Sequence, residues 1–260
     1  MFLPAPAFVA LFAVATCLNA ALLFAVEPMF TKMVLPLLGG TPSVWNTCLL
    51  FFQGALLVGY LYAHVTSRWL AVGRQAALHL VLLVAAAASL PVAVAQVRPP
   101  TGGTGAAIGW LLALLTTSLG APFVLLAAGA PMLQRWFAGT RHPLATNPYF
   151  LYVASNVGSF AALLAYPTLI EPSLRLGEQS VGWAWGYALL VALLGVAGAA
   201  AWRARAGGAA AAAATSVAAT SVAANAPNAP NAAHPAGTEA THADATGAEA
   251  TNARVVDAPA

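Results

Sequence analysis

Glu27 and Lys32 stand five residues apart in "ALLFAVEPMFTKMVLPLLGG" (residues 21–40), two ionisable side chains inside an otherwise apolar run. A charge at the centre of a bilayer costs about 2.5 to 3.5 kcal/mol on insertion scales, so such residues mark ion pairs, cation sites or proton paths. Five positions along a helix are about 140° apart around it. A direct Glu27–Lys32 pair therefore needs a distortion of the kind a proline introduces, and Pro28 lies between them. Three readings follow: anchoring at the outer interface, with Lys32 snorkelling on its long stem; a structural ion pair; or a functional pair in a cavity.

Amides and hydroxyls fall into stripes around these charges. Thr16, Asn19 and Glu27 lie on roughly one side of a first helical segment. Asn46, Gln53 and Tyr60 recur every seven residues along a second, and Tyr149, Tyr152, Asn156 and Ser159 share a side of "PYFLYVASNVGSF". Three striped helices imply a shared polar interior. The alternative is plain packing, because interhelical hydrogen bonds of about 0.6 to 2 kcal/mol hold membrane helices together. The candidate intramembrane site comprises Glu27, Lys32, Gln53, Tyr60, Tyr152, Asn156 and Ser159. Arg135 reads as an orientation determinant, and Gln134 beside it as a possible contact for a cytoplasmic partner.

No catalytic constellation, metal ligand set or cofactor motif is expected. Cys17 and Cys48 sit in apolar segments and read as small buried hydrophobes, and His234 and His242 are isolated. "GTGAAIG" (103–109) mimics a nucleotide-binding glycine loop, but it lacks the preceding strand such a loop requires and reads as a flexible connector. Small residues four apart, Gly182 and Gly186 in "GWAWG" and Ser155 and Ser159 in "ASNVGS", permit close helix contact.

The elements that must position these groups are membrane helices. Of 260 residues, 60% are hydrophobic and 7% charged, with a mean hydropathy of +0.79; a soluble domain carries about a quarter charged residues. Ten basic residues against seven acidic ones are too sparse a positive balance to engage nucleic acid. Spans of about 20 apolar residues fall near 7–37, 44–65, 76–96, 106–130, 149–170 and 181–202. Pro28 and Pro36 are expected to kink the first span or set its end; Pro122 is expected to kink the fourth, which should end near Pro131. The N-terminal stretch lacks the basic start of a secretory signal and reads as a retained first span. Arg68, Arg74, Arg135, Arg141, Arg203 and Arg205 fall in segments of one side, Lys32, Arg98 and Arg175 in those of the other. By the positive-inside rule both termini face the cytoplasm, with tryptophans at both sets of helix ends forming interfacial belts. Residues 1–205 thus make a six-helix membrane domain, and the Ala-, Thr-, Asn- and Pro-rich remainder, 206–260, reads as a disordered tail unable to build a core.

Three longer stretches, "EPMFTKMVLPLLGGTPSVWNTCLLFFQGALLVGYLYAHVTSR", "APMLQRWFAGTRHP" and "NPYFLYVASNVGSFAALLAYPTLIEP", resemble the membrane-embedded N-terminal part of the bacterial fused major-facilitator/spermidine-synthase-like proteins. The resemblance covers nearly all of residues 10–200, and Glu27 with Lys32 matches a Glu followed five residues later by a basic residue. It implies half of a major-facilitator fold in the bacterial inner membrane, and "GYLYAHVTSR" stands where those transporters carry a Gly- and Arg-containing loop. The family's members continue into further helices and a spermidine-synthase-like domain. No strand pattern follows Arg205 here, so aminopropyl transfer is not expected of this chain alone. The resemblance implies an anchor or channelling partner for a separately encoded soluble synthase of polyamine chemistry. Two rivals stand beside it: a half-size transporter that forms a homodimer and carries polyamines or other organic cations, and a truncated product without function.

Overall fold

The computed structural model describes residues 4–94, 100 and 103–224. Among the described residues six helices are long and apolar enough to cross a membrane: α1 (Ala5–Leu38), α2 (Pro42–Trp69), α3 (Val72–Ser89, its last turn 3₁₀), α4 (Thr104–Ala138), α5 (Tyr149–Ser173) and α6, whose apolar span is Leu176–Gly208. There is no strand among the described residues. The chain is an all-α, multi-pass membrane protein, as its hydropathy predicts. Spanning segments must satisfy their backbone groups internally, and helices do so without partners.

The first span ends where expected, just past Pro36, whereas the fourth outruns the end expected near Pro131. α1 runs through Pro28 and Pro36, and α4 runs past Pro131 to Ala138. Pro122 leaves its mark as a π-helical turn, Thr116–Gly120, immediately before it; Pro167 lies within a second one, Tyr166–Ile170. Each proline removes one intrahelical hydrogen bond, and local widening absorbs the loss within a packed bundle. Most of the expected connector at 103–109 is the first turns of α4, which begins at Thr104. α6 continues to Ala224, so 206–224 are helical rather than part of a disordered tail. Arg98, His234, His242 and the rest of the tail, 225–260, lie outside the described residues.

Two close crossings organise the bundle. Gly158 of α5 lies against the Cys17 backbone of α1, and Gly59 of α2 against Ala127 and the Val124 carbonyl of α4. A Cβ at either glycine would strike the neighbouring helix, which is why small residues occupy such contacts in membranes. Between them α1 meets α4, where the buried Asn19 Nδ2 donates to the Leu126 carbonyl at 3.0 Å. Phe8 and Phe12 near the start of α1 meet Phe137 at the end of α4, so these two helices are antiparallel. α3 and α6 close the bundle: Tyr187 Oη donates to the Leu83 carbonyl at 3.0 Å and Trp183 Nε1 to the Leu22 carbonyl at 2.9 Å. The trios α1–α3 and α4–α6 therefore repeat in opposite sense, with the second helix of each packed on the first helix of the other.

Trp136 and Trp183 are core residues rather than members of an interfacial belt; Trp45, Trp69, Trp185 and Trp202 are exposed. One end of the bundle gathers Arg68, Arg74, Arg135, Arg141, Arg203 and Arg205. The three carboxylates among the described residues, Glu27, Glu171 and Glu178, all lie toward the other end.

Candidate functional site

Lys32 is ion-paired with Glu171 of α5, not with Glu27. Its ammonium also lies 5.8 Å from the centroid of the Tyr166 ring, a cation–π distance. Tyr166 Oη in turn donates to Gln179 Oε1 at 3.0 Å, and Gln179 Nε2 to the Leu174 carbonyl at 2.8 Å. One cluster thus ties α1, α5 and α6 together at the end opposite the arginines. Glu27 stays outside it. Its backbone carbonyl accepts from Thr31 Oγ1 at 2.8 Å, while its half-buried carboxylate has no hydrogen bond or ion pair among the described residues. At 1.5 Å per residue it lies about 16 Å along the helix from Leu38, well inside the span.

The remaining expected site residues do not gather round a common interior. Gln53, Tyr60, Tyr152 and Asn156 are exposed on the outside of the bundle and Ser159 is partly so; Tyr60 and Tyr152 are each more than half exposed. Ser159 Oγ only returns to the Asn156 carbonyl of its own helix, at 3.0 Å. The α1 stripe alone turns inward, with Thr16 and Asn19 fully buried. Within the single chain, the three stripes expected to share a polar interior lie as one internal stripe and two outward-facing ones. The reason lies in the crossings: Gly59 and Gly158 must face the neighbouring helices, and that rotates the polar sides of α2 and α5 away.

A second polar cluster escaped the sequence reading. Gln75 is fully buried. Its Nε2 donates to Thr66 Oγ1 at 3.0 Å and to Ser67 Oγ at 3.1 Å. Its Oε1 accepts from Arg135 at 2.6 Å and from Trp136 Nε1 at 3.0 Å, and Arg135 also donates to the Leu70 carbonyl at 3.0 Å. Arg135 is thus held by the α2–α3 turn, a structural role beyond orientation. One turn further along α3, His79 is equally buried, stacked on Tyr62 at 5.9 Å between ring centroids and edge-on to Trp136 at 6.4 Å. Neither ring nitrogen of His79, nor the Tyr62 hydroxyl, has a hydrogen-bond partner among the described residues. The available signal was the spacing of Gln75 and His79, four apart and hence on one helix side. Cys17 and Cys48 are free thiols, and no group of three or more potential metal ligands occurs among the described residues.

The fold and these clusters define a multi-pass membrane protein whose polar groups, among the described residues, are divided between its interior and its flanks. The chain matches no protein-family model, no curated protein and no solved structure.

Proposed function

We propose that the chain is a half-size membrane transport module that pairs with a second copy of itself, enclosing a polar path between the two. The observation that carries this reading is the outward exposure of Gln53, Tyr60, Tyr152 and Asn156 on α2 and α5. Amide side chains facing hydrocarbon are unfavourable, and in membrane proteins such groups face other helices or an aqueous cavity. A copy seated on these two helices would cover both stripes at once. The inverted pairing of the two trios supports the same reading, because repeats of opposite topology are a common architecture of secondary transporters. It also accords with the resemblance to the membrane part of the major-facilitator/spermidine-synthase-like proteins, from which the reading takes polyamines or other organic cations as the cargo class.

In this reading Glu27 is the cation-recognising group, being the one carboxylate of the described spans held away from an ion pair and well inside the helix. Lys32 and Glu171 are a structural brace. The six-arginine end supports placing both termini on the cytoplasmic side of a bacterial inner membrane.

The test is uptake of radiolabelled putrescine and spermidine into cells expressing the chain, compared with Glu27→Gln at matched membrane level. Uptake above the empty-vector background that Glu27→Gln abolishes supports the proposal. A well-inserted protein without uptake overturns it and returns the chain to the role of anchor for a separately encoded synthase.

A further inference from the structure

The basic end of the bundle carries a cavity of about 960 Å³ between the start of α1, the α4–α5 connection and α6. Its lining changes character along its length. Gly195, Val196, Ala199 and Ala200 of α6, with Phe8 of α1, form an apolar floor; Arg203, near the end of the apolar span of α6, and Arg141, in the α4–α5 connection, stand at its basic end. From Gly195 to Gly207 the groove follows about 18 Å of helix. Small side chains on α6 make room for it, while Phe8 is held by ring contacts with Phe12 and Phe137 and by stacking on His142.

Among the described residues the charge at this end is uncompensated. Six arginines lie here, and no carboxylate among the described residues shares the end with them. Three are partly engaged: Arg135 in the Gln75 cluster, and at the cleft Arg141, which donates to the Gly208 carbonyl at 2.6 Å, and Arg205, whose Nε donates to the Gly139 carbonyl at 2.7 Å. Each bond uses a single N–H of a guanidinium that has five. Arg203 is exposed and makes no hydrogen bond or ion pair among the described residues.

We propose that this cleft is a binding site for an anionic phospholipid, one acyl chain lying on the Gly195–Ala200 floor and the phosphate between Arg141 and Arg203. An apolar groove that opens into a cationic mouth at the end of the apolar span matches an amphiphile of one polarity: hydrocarbon inside, negative charge outside. Basic pockets between membrane helices recognise acidic headgroups on this principle. A soluble phosphate would leave the apolar floor uncovered, and a zwitterionic lipid would leave the arginines uncompensated. The site is separate from Glu27 and from the α2 and α5 stripes, so it stands whether or not the chain transports anything.

The experiment is native mass spectrometry of the purified full-length chain after delipidation, titrated with phosphatidylglycerol or with phosphatidylcholine of the same acyl chains. Phosphatidylglycerol is expected to bind in preference. Arg203→Gln, which breaks no hydrogen bond or ion pair among the described residues, should weaken it about fivefold with phosphatidylcholine unchanged. Ala199→Trp, which fills the floor, should weaken both lipids, and a thermal melt of each variant confirms that it folds. Arg68→Gln, at the same end but outside the cleft, should leave phosphatidylglycerol binding unaltered. Equal binding of the two lipids, an equal loss in Arg68→Gln and Arg203→Gln, or displacement of the lipid by glycerol 3-phosphate alone would each overturn the proposal.

Discussion

Lys32 pairs with Glu171 at the end of the neighbouring α5 and leaves Glu27, on its own helix, without a counter-charge among the described residues. The two partners' side chains are 33% and 43% exposed, so solvent screens the pair and its worth lies at the low end for ion pairs. In a double-mutant cycle with Lys32→Met and Glu171→Gln, the coupling energy should be about 0.2 to 1 kcal/mol. Reversible unfolding in detergent measures it. A coupling of several kcal/mol would mean that the pair is sealed from water in the membrane.

The crossings at Gly59 and Gly158 should be far less forgiving. A Cβ at Gly158 meets the Cys17 backbone and one at Gly59 meets the Val124 carbonyl, whereas one at Gly182 meets nothing within 4 Å. Gly59→Ala and Gly158→Ala should each cost about 1 to 3 kcal/mol, as overpacking does. Gly182→Ala should be neutral or gain a few tenths of a kcal/mol from helix propensity. Melting temperatures of the three variants in one detergent decide the matter, and equal values would remove the glycines from the architecture.

This contrast also marks what the sequence could tell. The six spans were legible because twenty apolar residues have few other places to be. The stripes on α2 and α5 were legible as periodicity, but a stripe says only which residues share a side of a helix. In water the hydrophobic effect decides which side turns inward; between helices and lipid tails that driving force is absent, and the facing is set by where backbones can approach closely. Gly54, Gly59, Gly158, Gly182 and Gly186 look alike in sequence, yet only Gly59 and Gly158 lie against another helix's backbone. Nor does local spacing reveal that Lys32 pairs with Glu171, because the partner is set by tertiary packing of α1 on α5. Gln75 and His79, by contrast, are legible in the sequence: their four-residue spacing puts them on one helix side as regularly as the stripes of α2 and α5.

Gln75 offers a sharper stability prediction than any exposed amide. Replacing it with Ala strips partners from Arg135, Trp136 and Thr66 together. With a charged partner among them, the expected loss is about 1.5 to 3 kcal/mol. Gln53→Ala, on an exposed side of α2, should stay within about 0.5 kcal/mol in the isolated chain. Thermal unfolding of the two variants side by side tests the ranking, and a larger loss for Gln53 would place it at a contact the single bundle lacks.

Pairing of two copies through α2 and α5 predicts specific cross-links. With Cys17 and Cys48 replaced by Ala, single cysteines at Gln53 and at Asn156 should be joined between copies in native membranes by a short bifunctional reagent. A cysteine at exposed Val81 of α3 should not. Changing Gln53 and Asn156 together to Leu should abolish the dimer while the monomer's melting temperature holds. Cross-linking from Val81 but from neither polar position would put the interface on another side and leave the stripes unexplained.

His79 supplies the most discriminating substitution. Its ring is enclosed by Tyr62 and Trp136, and neither nitrogen finds a partner among the described residues. A buried polar group left unpaired carries the full desolvation cost, whereas an apolar group of the same shape carries none. His79→Phe should therefore melt at the same temperature as the parent or higher. His79→Ala keeps no ring and opens a void, and should lose about 2 to 4 kcal/mol by the usual cost of large-to-small changes in a core. The pair of variants separates shape from polarity: a stable Phe variant with an unstable Ala variant means that the ring is held for its volume. Equal destabilisation in both would mean that the imidazole nitrogens bind something in the membrane, most simply a buried water shared with the Tyr62 hydroxyl. Restoration by His79→Gln, which keeps a donor and an acceptor, would then confirm that hydrogen bonding carries the effect.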